Sequence, residues 1–299
     1  MKNSFEIREE KKIHERLPHY VETISLIGGR SEQQDAFGVK RIQTQGRDFL
    51  CVVVADGHGA NGEVAARSAV SHILTGAERI KTLDANALAH LFHTAHQDIV
   101  VSCPEGGSTA TAVFLARGNV ATIGWVGNCQ ARVFSKDNTL HTLTLPHEYG
   151  VHPDETKRLD ANRIHISPFT RTSEEGGYGI APQPSPKRGY LQTKGGFIEV
   201  SRSLGDEGMG QIVLHEPEFK QIVYSQNERF LIVATDGLWK KLERKKMRQT
   251  IEKLLAQATN ARMAQVLVEG QLRKWKLKDN TTVVIVELAH EFAAKNEIR

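Results

Sequence analysis

The chain has 299 residues, 39% of them hydrophobic and 25% charged, which suits one large globular domain or two small ones and excludes a disordered chain. Its formal charge of +4 is spread over scattered Lys and Arg, densest at Arg244-Lys245-Lys246. That run reads as a solvated helix face, so no nucleic-acid partner is expected.

Tyr20 to Ile27 alternates as a first strand, and Phe37 to Ile42 with Phe49 to Ala55 reads as a hairpin around Gln45-Gly46. Asn61-Gly62 opens a helical pattern to about Ile80. A second helix runs from Asp84 to Val101, with Leu88, Leu91, Phe92, Ala95 and Ile99 on one face. Thr109 to Ala116, Val120 to Val126, Ala131 to Phe134 and Leu140 to Leu145 then form a meander, turning at Arg117-Gly118-Asn119 and Asp137-Asn138. Pro153-Asp154-Glu155 starts a short helix. From Ser167 to Lys194 the composition turns to Pro, Ser, Gly and charge, which predicts a long loop. Strands follow at Phe197 to Ser201, Phe219 to Tyr224 and Phe230 to Thr235. Two helices near Leu242 to Leu255 and Ala261 to Trp275 precede a last strand, Val283 to Leu288. Strands and paired helices come in blocks without strict alternation, which favours an α+β sandwich of mostly antiparallel sheets.

The N-terminus is polar up to about Tyr20 and has no apolar signal core, and no apolar run reaches spanning length. Cys51, Cys103 and Cys129 are far apart and lack metal-finger spacing. The expectations are a cytoplasmic chain in a reducing compartment, a monomer with no membrane partner; export without a cleaved signal stays open.

Two of the predicted strands run into the same dipeptide, Asp56-Gly57 and Asp236-Gly237, and the chain has no other Asp-Gly. Each reads as a strand end at which glycine frees the backbone for a sharp exit. A third acid, Asp279, stands just before the last strand. If these strands are neighbours, three carboxylates converge on one edge of a core. At about 4 Å and an effective dielectric of about 20, each like-charge pair costs roughly 4 kcal/mol, so the cluster needs cations. Asp carboxylates and carbonyls suit Mg²⁺ or Mn²⁺. Two such ions bridged by one carboxylate can activate a water for attack on phosphorus, and His58, two residues after Asp56, would protonate the leaving alkoxide. Upstream, Arg30 offers a guanidinium fork for phosphate oxygens and Asp35 a further acid. Against this, Asp-Gly is also ordinary turn punctuation and His58 could be a plain loop histidine.

The order of segments resembles the metal-dependent type 2C protein serine/threonine phosphatases, the PPM family, from about Ile24 to Leu288. The resemblance rests on Arg30 to Asp35, Asp56-Gly57-His58-Gly59, Gly107-Ser108-Thr109-Ala110, Val126-Gly127 with Ala131-Arg132, and Glu155 to Leu159. It continues through Val200 to Asp206, Glu216-Pro217, Asp236-Gly237-Leu238-Trp239 and Asp279-Asn280-Thr281. It implies a four-layer α+β sandwich, two mostly antiparallel sheets flanked by pairs of helices. It also implies a phosphatase domain over 20–290, an N-terminal extension 1–19, a flap or insert at about 160–195 and a tail 291–299. By position, Asp56, Asp236 and Asp279 would hold one Mn²⁺ or Mg²⁺, and Asp56, the Gly57 carbonyl and Asp35 a second. Arg30 would clamp the substrate phosphate and His58 would be the general acid. Ser108 and Thr109 would pack or bond near the sheet, and Ser201, Arg202 and Asp206 would hold structure around the site. The substrate would be a phosphoserine or phosphothreonine protein.

The chain departs from the family's pattern at particular points. Gln34 stands where many relatives carry Glu, which makes a direct ligand role there doubtful. Asn128 and Lys240 replace two aspartates that the family uses for a third, weaker ion, so that site is expected to be lost, with the Lys240 ammonium taking part of its electrostatic role or pointing into solvent. Pro146-His147 replaces Asp-His. Lys187 and Arg188 in the flap could attract acidic phosphopeptides or simply solubilise the chain. Two other readings stand beside the phosphatase: a catalytically weak scaffold that keeps the fold, and a phosphatase of a small metabolite.

Overall fold

Alternate residues of strand β3 (Arg47–Gly59) serve different cores in the computed structural model, which describes residues 19–44, 47–168, 189–193 and 196–289. Cys51, Val53 and Ala55 pack beneath helices α1 (Gly62–Ala77) and α2 (Ala85–Ser102), while Leu50, Val52 and Val54 face a second sheet. Strand β14 (Thr281–Glu287) does the same from the other side. Val284 and Val286 point to the middle. Val283 and Ile285 meet helices α4 (Asp236–Leu242), α5 (Lys245–Gln257) and α6 (Ala261–Lys274). A two-residue side-chain period thus supplies three apolar layers between four layers of structure, the α+β sandwich expected from the sequence.

One sheet runs in the order β12 (Glu218–Val223), β5 (Val120–Val126), β4 (Gly106–Ala116), β3, β2 (Asp35–Thr44), with the short β11 (Leu204–Gly205) beside β4. The other runs β1 (Tyr20–Leu26), β14, β13 (Glu228–Ala234), β6 (Gln130–Ser135), β7 (Leu140–Thr142). All these pairings are antiparallel. Helix α3 (Pro153–Ala161) and a small sheet of β8 (Ile166–Pro168), β9 (Gly189–Thr193) and β10 (Gly196–Ile198) complete the described elements.

Three sequence readings need correction. The second half contains three helices rather than two, because a helix starts at Asp236 itself and buries Leu238, Trp239 and Leu242 on one face. The strand expected to reach Leu145 ends at Thr142. The stretch expected as one long loop from Ser167 to Lys194 has strands at both ends, β8 and β9. The body of the expected flap, with Lys187 and Arg188, lies outside the described residues, as do most of the N-terminal extension and the tail. No described helix is long and apolar enough to cross a membrane.

Candidate metal centre

The β2–β3 register sets Asp35 directly opposite Asp56, and opposed residues of an antiparallel pair share a face. Strands β13 and β14 pair through Ala234 and Val283, which brings the end of one and the start of the other together. Asp236 follows the first and Asp279 precedes the second. Four acids therefore stand at one end of the two sheets.

Asp35 is 7% exposed. Its Oδ2 accepts from the Thr235 hydroxyl at 2.9 Å, and that hydroxyl accepts the Thr282 N–H at 3.0 Å. Its Oδ1 is buried without a partner. Burial outweighs the bond from Thr235 and, with the charges of Asp236 and Asp279, pushes the Asp35 carboxyl up to about 7. Burial also drives Asp56 well above the usual carboxylate range, helped by Asp35, Asp236 and Asp279 and opposed by Lys240. Asp236 accepts at Oδ2 from Asn128 Nδ2 at 2.9 Å, and its Oδ1 is again buried and unpartnered. Asp279 Oδ1 accepts from Arg30 Nε at 2.8 Å and from the Asn280 N–H at 3.0 Å. Two orphaned carboxylate oxygens among four mutually repelling acids form an oxygen donor set that fits hard divalent cations.

The glycines of the two Asp-Gly pairs serve a different purpose from the expected sharp exit. Strand β3 continues through Gly57 to Gly59, the second pair opens α4, and neither Gly57 nor Gly237 has a positive φ. A Cβ on Gly57 would drive into the Gly62 carbonyl, and one on Gly237 into the Asn280 carbonyl. Close approach of two backbones, not turning, requires glycine at both.

Three residues given no role from sequence hold this edge together. Buried Asn280 donates from Nδ2 to the carbonyls of Ile27 and Glu32, both at 2.9 Å, and accepts the Gln34 N–H at Oδ1. It ties the Arg30–Asp35 loop to β14. Thr235 holds Asp35 directly, and Thr282 holds the Thr235 hydroxyl through its N–H. All three are polar residues beside or within three residues of the acids, the one signal in the sequence that could have pointed to them. Gln34, already a doubtful ligand, donates from its side-chain amide to the Gly59 carbonyl at 3.3 Å.

His58 lies in β3 opposite Gly107. Its Nε2 is 2.7 Å from Asp206 Oδ2, which also accepts from the Ser203 hydroxyl. Burial opposes the Asp206 charge, but the bonds from His58 and Ser203 hold its pKa below the ordinary value. An ionised carboxylate only accepts, so His58 Nε2 carries the proton. A Cβ on Gly107 would strike both Asp206 Oδ2 and His58 Nε2. Arg30 is 60% exposed along its side chain, and its bond to Asp279 raises its pKa. Ser108 donates to the Asp56 and Thr109 carbonyls.

The model of the family described as protein phosphatase 2C matches residues 43–278. The chain belongs to the protein phosphatase 2C family. It is 28% identical over 250 residues to probable protein phosphatase 2C 33 of Oryza sativa subsp. japonica, covering 80% of this chain and 54% of that one. It is 27% identical over 271 residues to probable protein phosphatase 2C 17 of Arabidopsis thaliana, covering 88% and 87%. The chain spans about half the length of the first curated relatives it matches. In fold it is similar to a serine-threonine phosphatase 2C from Toxoplasma gondii, with TM-score 0.66 and 18% identity over 92% of this chain and 96% of the other. A C. elegans sex determining protein is similar at TM-score 0.68 and 21% identity, over 90% and 65%.

Within this phosphatase 2C fold, Lys240 does not point into solvent. Its ammonium lies 2.6 Å from Asp236 Oδ2 and 2.7 Å from Glu199 Oε2. Asn128 donates to Glu148 Oε1 at 3.0 Å as well as to Asp236. Glu199 and Glu148 were not foreseen, because only the fold brings them near. Arg202 and Ser201 hold Glu155, as expected of a structural group.

A second cluster, His147, His152 and Glu218, has the ligand types of a transition-metal site. His147 Nδ1 accepts the Gly127 N–H at 3.0 Å, so its proton sits on Nε2, the nitrogen that faces Glu218 at 3.5 Å. A neutral imidazole cannot then offer Nε2 to a metal. Glu218 is held by His152 Nε2 at 3.0 Å, and His147 Nε2 is buried without a hydrogen-bond partner.

Proposed function

We propose that the chain hydrolyses phosphoserine and phosphothreonine on proteins, dependent on Mn²⁺ or Mg²⁺ bound at the four-acid edge. The observation that carries this reading is the pair of buried, unpartnered oxygens, Asp35 Oδ1 and Asp236 Oδ1, in an oxygen donor set beside the His58–Asp206 pair. Asp56, Asp236 and Asp279 would hold one ion, and Asp56, Asp35 and the Gly57 carbonyl the other. Divalent ions bound there would offset the carboxylate charge, lower the pKa of water and stabilise the phosphoryl oxygens.

The remaining work falls to this chain's own side chains. Arg30 is fixed through Nε by Asp279, which leaves the rest of its guanidinium to bind phosphate oxygens. His58 has Nε2 committed to Asp206, so the proton for the leaving serine or threonine oxygen comes from Nδ1 of the imidazolium. Asp206 stabilises that cation and fixes the ring. The Lys240 ammonium stands on Asp236 as a tethered cation, and Asn128 donates to the same oxygen, so the centre takes two ions and no third beside Asn128.

The reading is tested by assaying a phosphothreonine peptide with and without manganese, alongside Asp56→Asn and Asp236→Asn. Turnover should need the metal and collapse in both variants; metal-independent turnover that survives them refutes it. A manganese-soaked crystal should show two anomalous peaks, and a well-occupied third beside Asn128 would overturn the two-ion centre.

A further inference from the structure

Asp206 reaches His58 from an unusual stretch of backbone. Gly205 has φ +82° and Asp206 φ +51°, both in the left-handed region that few residues other than glycine adopt. Gly205 pairs with Gly107 across β11–β4, and Gly107 with His58 across β4–β3, so the three lie side by side. A Cβ on Gly205 would press on the Gly106 carbonyl and the Ile99 side chain. The Asp206–His58 bond therefore sits in a slot cut by glycines, and glycines do not hold a turn in place.

A side chain from another layer adds to the backbone's own hold, which includes the Met209 N–H bond to the Asp206 carbonyl at 3.1 Å. His96 of α2 accepts the Gly205 N–H at Nδ1, 3.1 Å away, whereas the neighbouring bond from the Asp206 N–H to the Gly106 carbonyl is 3.4 Å long. The His96 ring is itself clamped. It stacks on His215 with centroids 4.0 Å apart and planes 7° from parallel, and His215 Nε2 lies 3.2 Å from His93 Nδ1. Burial and the two neighbouring histidines push His96 down to about 4, so at neutral pH it keeps the lone pair that Gly205 needs.

We infer that His96 is a positioning residue for the proposed reaction: by accepting the Gly205 amide it holds the left-handed Gly205-Asp206 turn that keeps the Asp206 carboxylate on His58. The catalytic consequence rests on the phosphatase reading; the geometric claim does not.

Two variants separate the acceptor from the ring. His96→Asn retains an acceptor oxygen close to the Nδ1 position, and His96→Phe retains the stacking ring without an acceptor, with His96→Met as the alternative if that variant does not fold. In metal-free protein, nitrogen-15 NMR of His58 should show a protected, hydrogen-bonded Nε2 proton in wild type and His96→Asn and its loss in His96→Phe. With manganese, His96→Phe should lower kcat on the phosphothreonine peptide by roughly 10- to 100-fold, part of the roughly 10²–10⁴ that a positioned acid contributes. Turnover of para-nitrophenyl phosphate, whose leaving group needs little protonation, should hardly change, and His96→Asn should restore the peptide rate. An unchanged His58 signal in His96→Phe, or an equal fall on both substrates, overturns the inference. If wild type turns over neither substrate, the phosphatase reading fails, and the His58 signal alone decides the role of His96.

Discussion

Lys240 Nζ and Asp236 Oδ2 are 2.6 Å apart, a lysine pressed against a carboxylate of the four-acid edge. Burial opposes the lysine charge, but Asp236 and Glu199 outweigh it and hold its pKa well above the ordinary value. The ammonium thus offsets repulsion among the acids, and under the proposed function it would compete with ions for the same oxygen.

Replacing it should move these two effects in opposite directions. Lys240→Met should destabilise the metal-free protein by about 1–2 kcal/mol, less than for a fully buried pair because the Lys240 side chain is 37% exposed. The same variant should bind manganese more tightly. Urea denaturation in EDTA and calorimetric titration check the two halves, and weaker manganese binding would show that the ammonium supports the ions instead.

Thr235 acts on the other side of the edge. Its buried hydroxyl donates to Asp35 Oδ2 and accepts the Thr282 N–H, so Thr235→Val leaves the Thr282 amide without that partner and removes one of the bonds on Asp35. The expected cost is about 1–3 kcal/mol. With Asp35 less firmly held, manganese affinity should fall by about tenfold. Denaturation and titration as above measure both, and an unchanged manganese affinity would place Asp35 outside the ion site.

These two residues also mark how far the sequence could be read. The acids were legible because each closes or opens an apolar run, whereas the Lys240 contact was not, since the helix that brings Lys240 back onto Asp236 was not foreseen. Glu199 was not legible as its second partner, since 41 residues separate the two and only the fold closes that distance. Which core each residue of β3 serves was equally hidden. Val52 and Val53 are both fully buried, so a strand covered on both faces shows no alternation to read. The role of Gly57 was misread for a related reason: the clash it avoids is with Gly62 in the next element, and local propensity knows only turns.

Glu155 is one of the carboxyls, with Glu218 and Asp206, whose depressed pKa makes the fold acid-sensitive. It accepts from Arg202 Nη2, Arg158 Nη2 and the Ser201 hydroxyl, each at 2.7 Å. Burial opposes its charge, yet these bonds win and hold the carboxyl at about 2, below its ordinary 4.5. A depressed carboxyl contributes stability that is fully present above the unfolded value and is lost as pH falls through the folded one. The window here is therefore about 4.5 down to about 2, and the contribution is roughly 3 kcal/mol at most. Wild type should lose stability across that window more steeply than Glu155→Gln. The variant should itself be less stable at pH 7 by about 3–5 kcal/mol, since Arg202 and Arg158 lose their buried counter-charge. Urea denaturation from pH 3 to pH 7 measures both, and parallel pH profiles would remove Glu155 as the cause.

Gly107 is the most economical place to break the His58–Asp206 contact without touching either residue. It is the second residue of β4, opposite His58 on one side and Gly205 on the other, and its φ is not positive, so alanine suits its backbone. Its Cβ, however, would occupy the space where Asp206 Oδ2 meets His58 Nε2. The four acids stand on other residues and should still bind manganese with wild-type affinity. Gly107→Ala should therefore fold and load metal normally while its kcat on a phosphothreonine peptide falls by about 100-fold, the scale of a displaced general acid. Calorimetry and steady-state kinetics on one preparation check this. Equal losses in manganese affinity and turnover would show that the alanine disturbs the acid edge as a whole, and an unchanged kcat would take His58 out of the proton transfer.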